Sequence, residues 1–359
     1  MKHHGSENQN ELRLVAWELT CACNLRCVHC RGAACDEPSP DELTTEECRG
    51  VLDDIASFAR PIIILTGGEP LLRDDVFDIA AYGTEKGLRM VMATNGTLLD
   101  ARAARRCVEA GIKRISVSLD GSDAAVHDEF RQMPGAFMGS MHGVDAAKEV
   151  GLEFQINSSL TMQNLDQLPG LMRLAVELGA VAHHIFMLVP VGRGENLKGV
   201  EIPPDKYEET LNWIYDQREK VPLQIKVTCA PQYYRILRQR AKAEGRTVTR
   251  QTDGLDAVTR GCLGGKAFCF ISHSGQIQPC GYLELDCGNV RKEGLSVAWR
   301  ESTIFHELRN LAAYEGKCGM CEYKGVCGGC RARAYAKTGS YLAEEPCCVY
   351  VPKPKQHRR

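Results

Sequence analysis

The chain lacks what it would need to cross or reach a membrane. No apolar run among its 359 residues approaches the roughly 18 that a membrane helix requires. The first ten residues are polar and hold no apolar stretch of the kind an export signal carries, so a cytoplasmic location is expected. A surplus of either charge is also missing. The 44 Lys and Arg stand against 46 Asp and Glu, a net of −2, which leaves no basic field to recruit nucleic acid. Internal repeats and low-complexity tracts are absent. Without an export signal, cysteine cannot be assumed to serve disulfides.

Cysteine is what the chain has in excess. Of 18, five precede residue 36 and ten lie from Cys262 onward. Metal binding is the better reading of so many reduced thiols. Their distribution implies two cluster-binding regions around a cysteine-poor middle. At 44% apolar residues the chain can bury a full core, and its 359 residues allow two or three domains.

Apolar runs alternate with helical patterns through the first two-thirds. Strands are expected at Leu14–Leu19, Ile62–Thr66, Met90–Thr94, Ile115–Leu119, Glu153–Leu160 and Ile185–Val189, each with room behind it for a crossover helix. Six β-then-α units imply a parallel α/β sheet, either a barrel or part of one. Thr44 and Glu47 form a capping box before a helix that aligns Cys48, Leu52 and Ile55, so Cys48 reads as core. Cys107 reads the same way on a helix ending at Gly111. Further helices are expected from Pro204 to about Glu219 and from near Pro231. From Gly261 the segments are short, glycine-rich and dense in cysteine, which suits a small domain held by metal. The expected divisions are a flexible 1–12, a core with following helices at 13–243, a linker at 244–258, a cysteine-rich domain at 259–352 and a basic tail at 353–359.

Cys23, Cys27 and Cys30 form a C-x3-C-x2-C run. Three such thiolates can hold three irons of a 4Fe-4S cube and leave the fourth open to a small molecule. Zinc is the alternative, but a structural zinc site wants four ligands, usually in C-x2-C pairs. Each strand is followed by polar or glycine-rich chain: Gly67-Gly68-Glu69-Pro70, Asn95-Gly96, Ser118 with Asp120-Gly121, Asn157 within the fifth, and Leu188 to Gly194. In a parallel barrel these strand ends share one rim, so the pieces should converge on the open iron. They suit a zwitterionic nucleoside. Gly67 and Gly68 admit close approach of an ammonium or carboxylate. Glu69 either orients that backbone or accepts from an amine. Ser118, Asp120 and Asn157 can bond ribose hydroxyls, and Leu188 and Val189 can pack an adenine face. Taken singly, Gly-Gly and Asp-Gly are ordinary turn pairs.

The cysteine run, Gly67 to Pro70, Ala93-Thr94-Asn95-Gly96 and Ser116-Val-Ser-Leu-Asp-Gly121 together resemble the radical S-adenosylmethionine superfamily, over roughly Arg13 to Val191. The resemblance implies a partial (β/α)6 barrel. It implies that Cys23, Cys27 and Cys30 hold the cluster and that the open iron chelates the methionyl group of S-adenosylmethionine. A reduced cluster would then yield a 5′-deoxyadenosyl radical. His29 stands where the family usually has an aromatic ring. Farther on, Cys262-x12-Gly275-x4-Cys280, Cys318-x2-Cys321-x5-Cys327-x2-Cys330 and Cys347-Cys348 resemble the SPASM extension, which carries auxiliary 4Fe-4S clusters. That resemblance assigns Cys262, Cys269, Cys280 and Cys330 to one cluster. It assigns Cys318, Cys321, Cys327 and either Cys347 or Cys348 to another. The last spacing here is x2 where the extension usually has x3. Cys21, Cys35, Cys229 and Cys287 receive no role.

Only about twenty residues precede Cys23, where peptide-modifying relatives commonly carry an extra domain. Ala16 to Thr20, Cys27 to Arg31, Thr228 to Arg235 and Gly328 to Ala334 instead resemble the tetrapyrrole-modifying branch, most of all its S-adenosylmethionine-dependent haem synthases. The implied substrate is iron-coproporphyrin III, two of whose propionates become vinyls. The implied partners include a low-potential electron donor. An anionic macrocycle needs cations and an apolar slot. The candidates are Arg193, Arg235 and Arg238, with Tyr233 and Tyr234 beside the ring. A solvated helix face is the plainer reading of Arg235 and Arg238. His183 and His184 are candidates to approach the porphyrin iron, although an exposed histidine at a strand start is the commoner case. The alternatives are a didecarboxysirohaem deacetylase, a haem d1 enzyme, a peptide or quinone-precursor maturase, and an electron-transfer protein.

Overall fold

The computed structural model describes residues 10–197, 199–257, 259 and 261–353. Most of the expected flexible N-terminus and basic tail lies outside the described residues. Nine strands form one sheet: β1 (Leu14–Glu18), β2 (Ile62–Thr66), β3 (Arg89–Thr94), β4 (Ile115–Ser118), β5 (Phe154–Leu160), β6 (Ala182–Met187), β7 (Gln224–Thr228), β8 (Phe268–Ile271) and β9 (Ile277–Gln278). Their order is β7-β6-β5-β4-β3-β2-β1-β8-β9. Every neighbouring pair is parallel except β8 with β9. The first six strands are the partial (β/α)6 barrel, and β7 and β8 extend its two edges.

Strand alternation builds the barrel. In β1, Val15 and Trp17 are buried against the helices, so Leu14, Ala16 and Glu18 face the lumen. The helices α1 (Thr45–Phe58), α2 (Val76–Glu85), α3 (Ala101–Glu109), α4 (Ala124–Arg131), α5 (Ala136–Glu149) and α6 (Leu168–Leu178) follow the strands in turn. The capping box of α1 forms, with the Thr44 hydroxyl accepting from the Glu47 amide at 3.2 Å and the Glu47 carboxylate from the Thr44 amide at 2.8 Å. Cys48 and Cys107 are core residues. The helices α7 (Pro204–Gln217) and α8 (Gln232–Ala243) cover β6 and β7 with a second apolar cluster.

The strands β7 and β9 are not among those expected from the sequence, and two further findings differ from it. β6 spans Ala182–Met187, not Ile185–Val189, because His183 and His184 pair in register with β5 and β7. And β8, from the cysteine-rich segment, pairs with β1 in the register Val15↔Cys269, closing the β1 edge that the barrel alone would leave open.

Candidate functional site

The loop after β1 carries Cys23, Cys27 and Cys30, whose thiols pack in one cluster with Leu25 and Ala136. Its base is closed by the Cys23 amide donating to the Cys35 carbonyl at 2.8 Å and the Cys35 amide to the Cys21 carbonyl at 3.0 Å. The glycine pair after β2 holds it from the side. The Gly68 amide donates to the Thr20 carbonyl and the Glu69 amide to the Ala22 carbonyl, each at 2.8 Å. A Cβ on Gly67 would lie 2.5 Å from the Thr20 oxygen, and one on Gly68 would overlap the Ala22 oxygen. Both positions are glycine because the cysteine loop lies directly on them. From β6 comes Arg193. Its amide donates to the Cys30 carbonyl at 3.0 Å, and its guanidinium donates to the carbonyls of Cys27 and Ala34, each at 2.9 Å.

Burial pushes the Cys23 thiol up to about 11, with Glu69 and the other two thiols adding to it. Cys27 is raised by burial too, against the pull of Arg131. Such thiols are protonated without metal and release protons when they bind it. The buried Arg193 Nη2 and His29 Nδ1 have no hydrogen-bond partner among the described residues. Three convergent thiols and two unsatisfied polar atoms fit a three-thiolate cluster with a polar ligand on it.

Glu69 is fully buried and accepts three hydrogen bonds, from the Leu71 amide at 3.2 Å, the Thr94 hydroxyl at 2.7 Å and the Asn95 amide at 2.7 Å. It is engaged in orienting backbone, not in holding an amine. Burial raises its carboxyl to about 7 against the pull of those donors. Because all three partners donate, Glu69→Gln must face an NH2 against one of them. That variant is expected to lose about 1–3 kcal/mol of unfolding free energy, measured by chemical denaturation. Asn95 donates to Asn24 Oδ1 at 2.8 Å and so ties the third strand end to the cysteine loop.

Both carboxylate oxygens of Asp120 have partners within the protein. Its Oδ1 accepts from the Ser159 amide at 2.7 Å, and its Oδ2 pairs with Arg131 Nη2 at 2.6 Å and lies 3.5 Å from His29 Nε2. Arg131 in turn donates from Nη1 to the Cys27 sulfur at 3.5 Å. The His29 ring stacks on Phe130 with centroids 4.6 Å apart, and burial pulls its pKa down to about 4. Arg131 was not legible beforehand, because nothing local to the end of α4 marks it. Ser118 and Asn157 are register partners on the lumen face of β4 and β5, half-buried, with Leu188 on the same rim after β6.

The proposed substrate residues mostly lie elsewhere. Tyr233 and Tyr234 are buried on α8, Tyr233 within the second apolar cluster. Arg235 is also buried, donating to Glu208 at 2.6 Å and Gln239 at 2.7 Å, and Arg238 bonds the carbonyls of Tyr234 and Ala257. Both guanidiniums are engaged within the protein, and Arg235 is not on a solvated face. His183 is buried in a pair with Ser158 at 2.9 Å, and His184 pairs with Gln155 at 3.0 Å. Neither is exposed. Val189 is buried, with Cys330 as a neighbour.

The C-terminal thiols form two groups. Cys318, Cys321, Cys327 and Cys348 line one recess together with Arg235 and Lys317. Cys347 points instead into the apolar cluster under α7 and α8. Cys280 and Cys330 lie in another buried group, and Cys262 is close enough to raise the Cys280 thiol further after burial. Cys269 is not with them. On β8 it shares the helix-facing side with Val15 and is sealed in the main core. Among the described residues no set of His, Cys, Asp and Glu is gathered tightly enough for a single metal ion. A four-iron cube sets its thiolates farther apart than zinc does.

The Radical SAM superfamily profile matches residues 17–175. The chain is 53% identical over 341 residues to the AdoMet-dependent heme synthase of Nitratidesulfovibrio vulgaris, across 95% of this chain and 93% of that protein. It is 50% identical over 346 residues to the AdoMet-dependent heme synthase of Methanosarcina barkeri, across 96% and 99%. Against the Fe-coproporphyrin III synthase of the same organism, identity is 30% over 351 residues, across 93% and 87%. The crystal structure of Streptococcus suis SuiB bound to S-adenosylmethionine is similar in fold alone, with a TM-score of 0.72 at 16% identity, covering 95% of this chain and 78% of that one.

Proposed function

The chain belongs to the radical SAM superfamily and within it to the AdoMet-dependent haem synthases, and on that premise we propose that it converts two propionates of iron-coproporphyrin III to vinyl groups, giving protohaem. The observation that carries this reading is the contrast within one organism, 50% identity to the haem synthase against 30% to the Fe-coproporphyrin III synthase. Each conversion removes carbon dioxide, one hydrogen from the carbon next to the macrocycle, and one further electron.

Cys23, Cys27 and Cys30 would hold the 4Fe-4S cluster, and Ser118, Asn157 and Leu188 would contact S-adenosylmethionine. When bound, the pair supplies the 5′-deoxyadenosyl radical that takes the hydrogen. The chain's own part is positioning and shielding. Gly67, Gly68 and Arg193 fix the loop backbone, and Arg131 sets a positive charge beside Cys27. The unsatisfied Arg193 Nη2 would be available to a carboxylate of cofactor or substrate. The electron left after decarboxylation needs an acceptor, and an auxiliary cluster has the tunable potential for it. A compartment that keeps thiols reduced, the cytoplasm, suits this chemistry, and a low-potential donor must resupply the electron at Cys23–Cys30. Among the described residues no helix is long and apolar enough to cross a membrane.

The test is anaerobic turnover of cluster-loaded protein with reductant, S-adenosylmethionine and iron-coproporphyrin III, read by chromatography with mass detection. Mono- and divinyl porphyrins formed alongside 5′-deoxyadenosine are expected. Intact porphyrin, together with turnover of didecarboxysirohaem, would replace this reading with the deacetylase.

A further inference from the structure

We infer that Cys229, not Cys269, joins Cys262, Cys280 and Cys330 as the fourth protein ligand of one auxiliary 4Fe-4S cluster. The inference rests on the reading that the C-terminal thiols hold iron and sulfide.

Strand parity decides against Cys269. Successive side chains of β8 point to opposite faces. Phe270 faces the Cys280 segment: its ring would lie 3.1 Å from a Cβ on Gly281, and it stacks under the Arg31 guanidinium at 4.4 Å. Cys269 therefore points the other way. It is fully buried in the main core, and the thiol it influences is Cys287. No rotamer change brings a side chain through the sheet.

Placement decides for Cys229. It follows β7 directly and packs against Cys280 and Cys330 in one buried group with Val189 and Leu283. Its thiol and that of Cys330 share this packed group and influence each other directly. A Cβ on Gly264 would lie 3.9 Å from the Cys262 sulfur and 3.2 Å from the Pro279 oxygen, which puts Cys262 beside the Cys280 segment and hence beside the group that holds Cys229 and Cys330. The backbone at Cys229 has φ +59, a left-handed conformation that a cysteine adopts only under constraint. The constraint is visible. The Cys229 carbonyl accepts from Tyr207 Oη at 3.1 Å and from Arg333 Nη1 at 3.0 Å. Both donors are buried, and Arg333 also sets a positive charge near Cys330 that offsets thiolate charge. Arg31, next to Cys30, donates to the Gly281 carbonyl at 3.1 Å, so this group adjoins the first cysteine loop. Binding there would clamp the barrel, through Cys229, to the C-terminal segment. On binding, each thiol loses its proton and its sulfur bonds one iron of the cube.

The experiment uses full-length protein, reconstituted anaerobically with iron and sulfide, as wild type, Cys229→Ala, Cys229→Ser and Cys269→Ala. Iron and sulfide per chain are measured, and reduced samples are read by electron paramagnetic resonance. Cys229→Ala is expected to lose one cube's share of iron or convert its signal to a three-iron form, and Cys229→Ser to shift that signal. Cys269→Ala is expected to keep wild-type iron and signals. Unchanged iron and spectra in both Cys229 variants would overturn the inference, as would loss of one cluster in a folded Cys269→Ala. Wild type that holds iron only at Cys23, Cys27 and Cys30 would end the auxiliary-cluster reading itself, and the inference with it. A Cys229→Ala protein that does not fold leaves Cys229→Ser and Cys269→Ala to decide.

Discussion

Replacing Cys23, Cys27 and Cys30 together with alanine is expected to abolish 5′-deoxyadenosine release while leaving the C-terminal iron in place. The three thiols form a group of their own with Leu25 and Ala136, and the other cysteines of that region do not join it. Cys21 is buried and directed to the Glu37 carbonyl, and Cys35 is exposed. No nearby thiol can substitute. The loop itself should persist, because its path is set by backbone bonds to Cys35, Gly68, Glu69 and Arg193, none of which uses a cysteine side chain. The C-terminal groups draw their thiols from other elements, so any iron they hold does not depend on this loop. Iron per chain should fall by one cluster and far-ultraviolet circular dichroism should be unchanged. Cleavage of S-adenosylmethionine at the wild-type rate would remove these cysteines from the chemistry.

Much of this site was legible in the sequence because barrel strands announce themselves by alternation and their ends are punctuated by glycine. β2 was read in full and β1, β3, β4 and β5 to within a residue at an end, all carrying buried apolar residues on the helix-facing side. β6 was misplaced because two histidines open it, and only its pairing with β5 and β7 shows them to be strand. β7, with the sequence Gln-Ile-Lys-Val-Thr, is short and lies between helices, so its alternation did not stand out. Gly67 and Gly68 were picked for closeness to a ligand, and closeness is what they supply, but to the backbone of Thr20 and Ala22. The ion pair of Asp120 with Arg131 is not legible in the sequence, because Arg131 is eleven positions away at the end of a helix, a distance at which spacing carries no information. Cys269 lies on the helix-facing side of β8, a parity that motif spacing alone does not carry.

Arg131→Met is expected to cost about 3–5 kcal/mol of stability at neutral pH, because it strands a buried carboxylate. Asp120 has no exposed surface, and Arg131 Nη2 at 2.6 Å is its nearest cation. In the wild type, Arg131 and His29 hold the Asp120 carboxyl below its ordinary value despite burial. A depressed carboxyl contributes stability that is present above the unfolded pKa and lost only as pH falls through the lower folded pKa. Between pH 5 and 8, a window set about those values, the wild type should show no slope from this group. Without Arg131 the burial penalty is opposed by the Ser159 amide and the neighbouring histidines but by no permanent charge, the folded pKa rises above the unfolded one, and stability from this group is lost as pH rises. His29 changes in the same sense, since Arg131 is one of the groups that keep it neutral and Asp120 is the one that would charge it. The metal-free variant should therefore be closest to wild type at the acid end of that range and fall away toward the alkaline end in denaturation curves. A slope equal to that of wild type would show that the ion pair is not what neutralises Asp120. The same substitution removes the hydrogen bond to the Cys27 sulfur and the positive charge beside it. A reduced cluster there carries more negative charge than an oxidised one, so the variant's midpoint potential should move to more negative values. Arg131→Lys restores the charge without the fork that reaches both Asp120 and Cys27. It should recover most of the stability and less of the potential, a split that separates the two roles of one guanidinium.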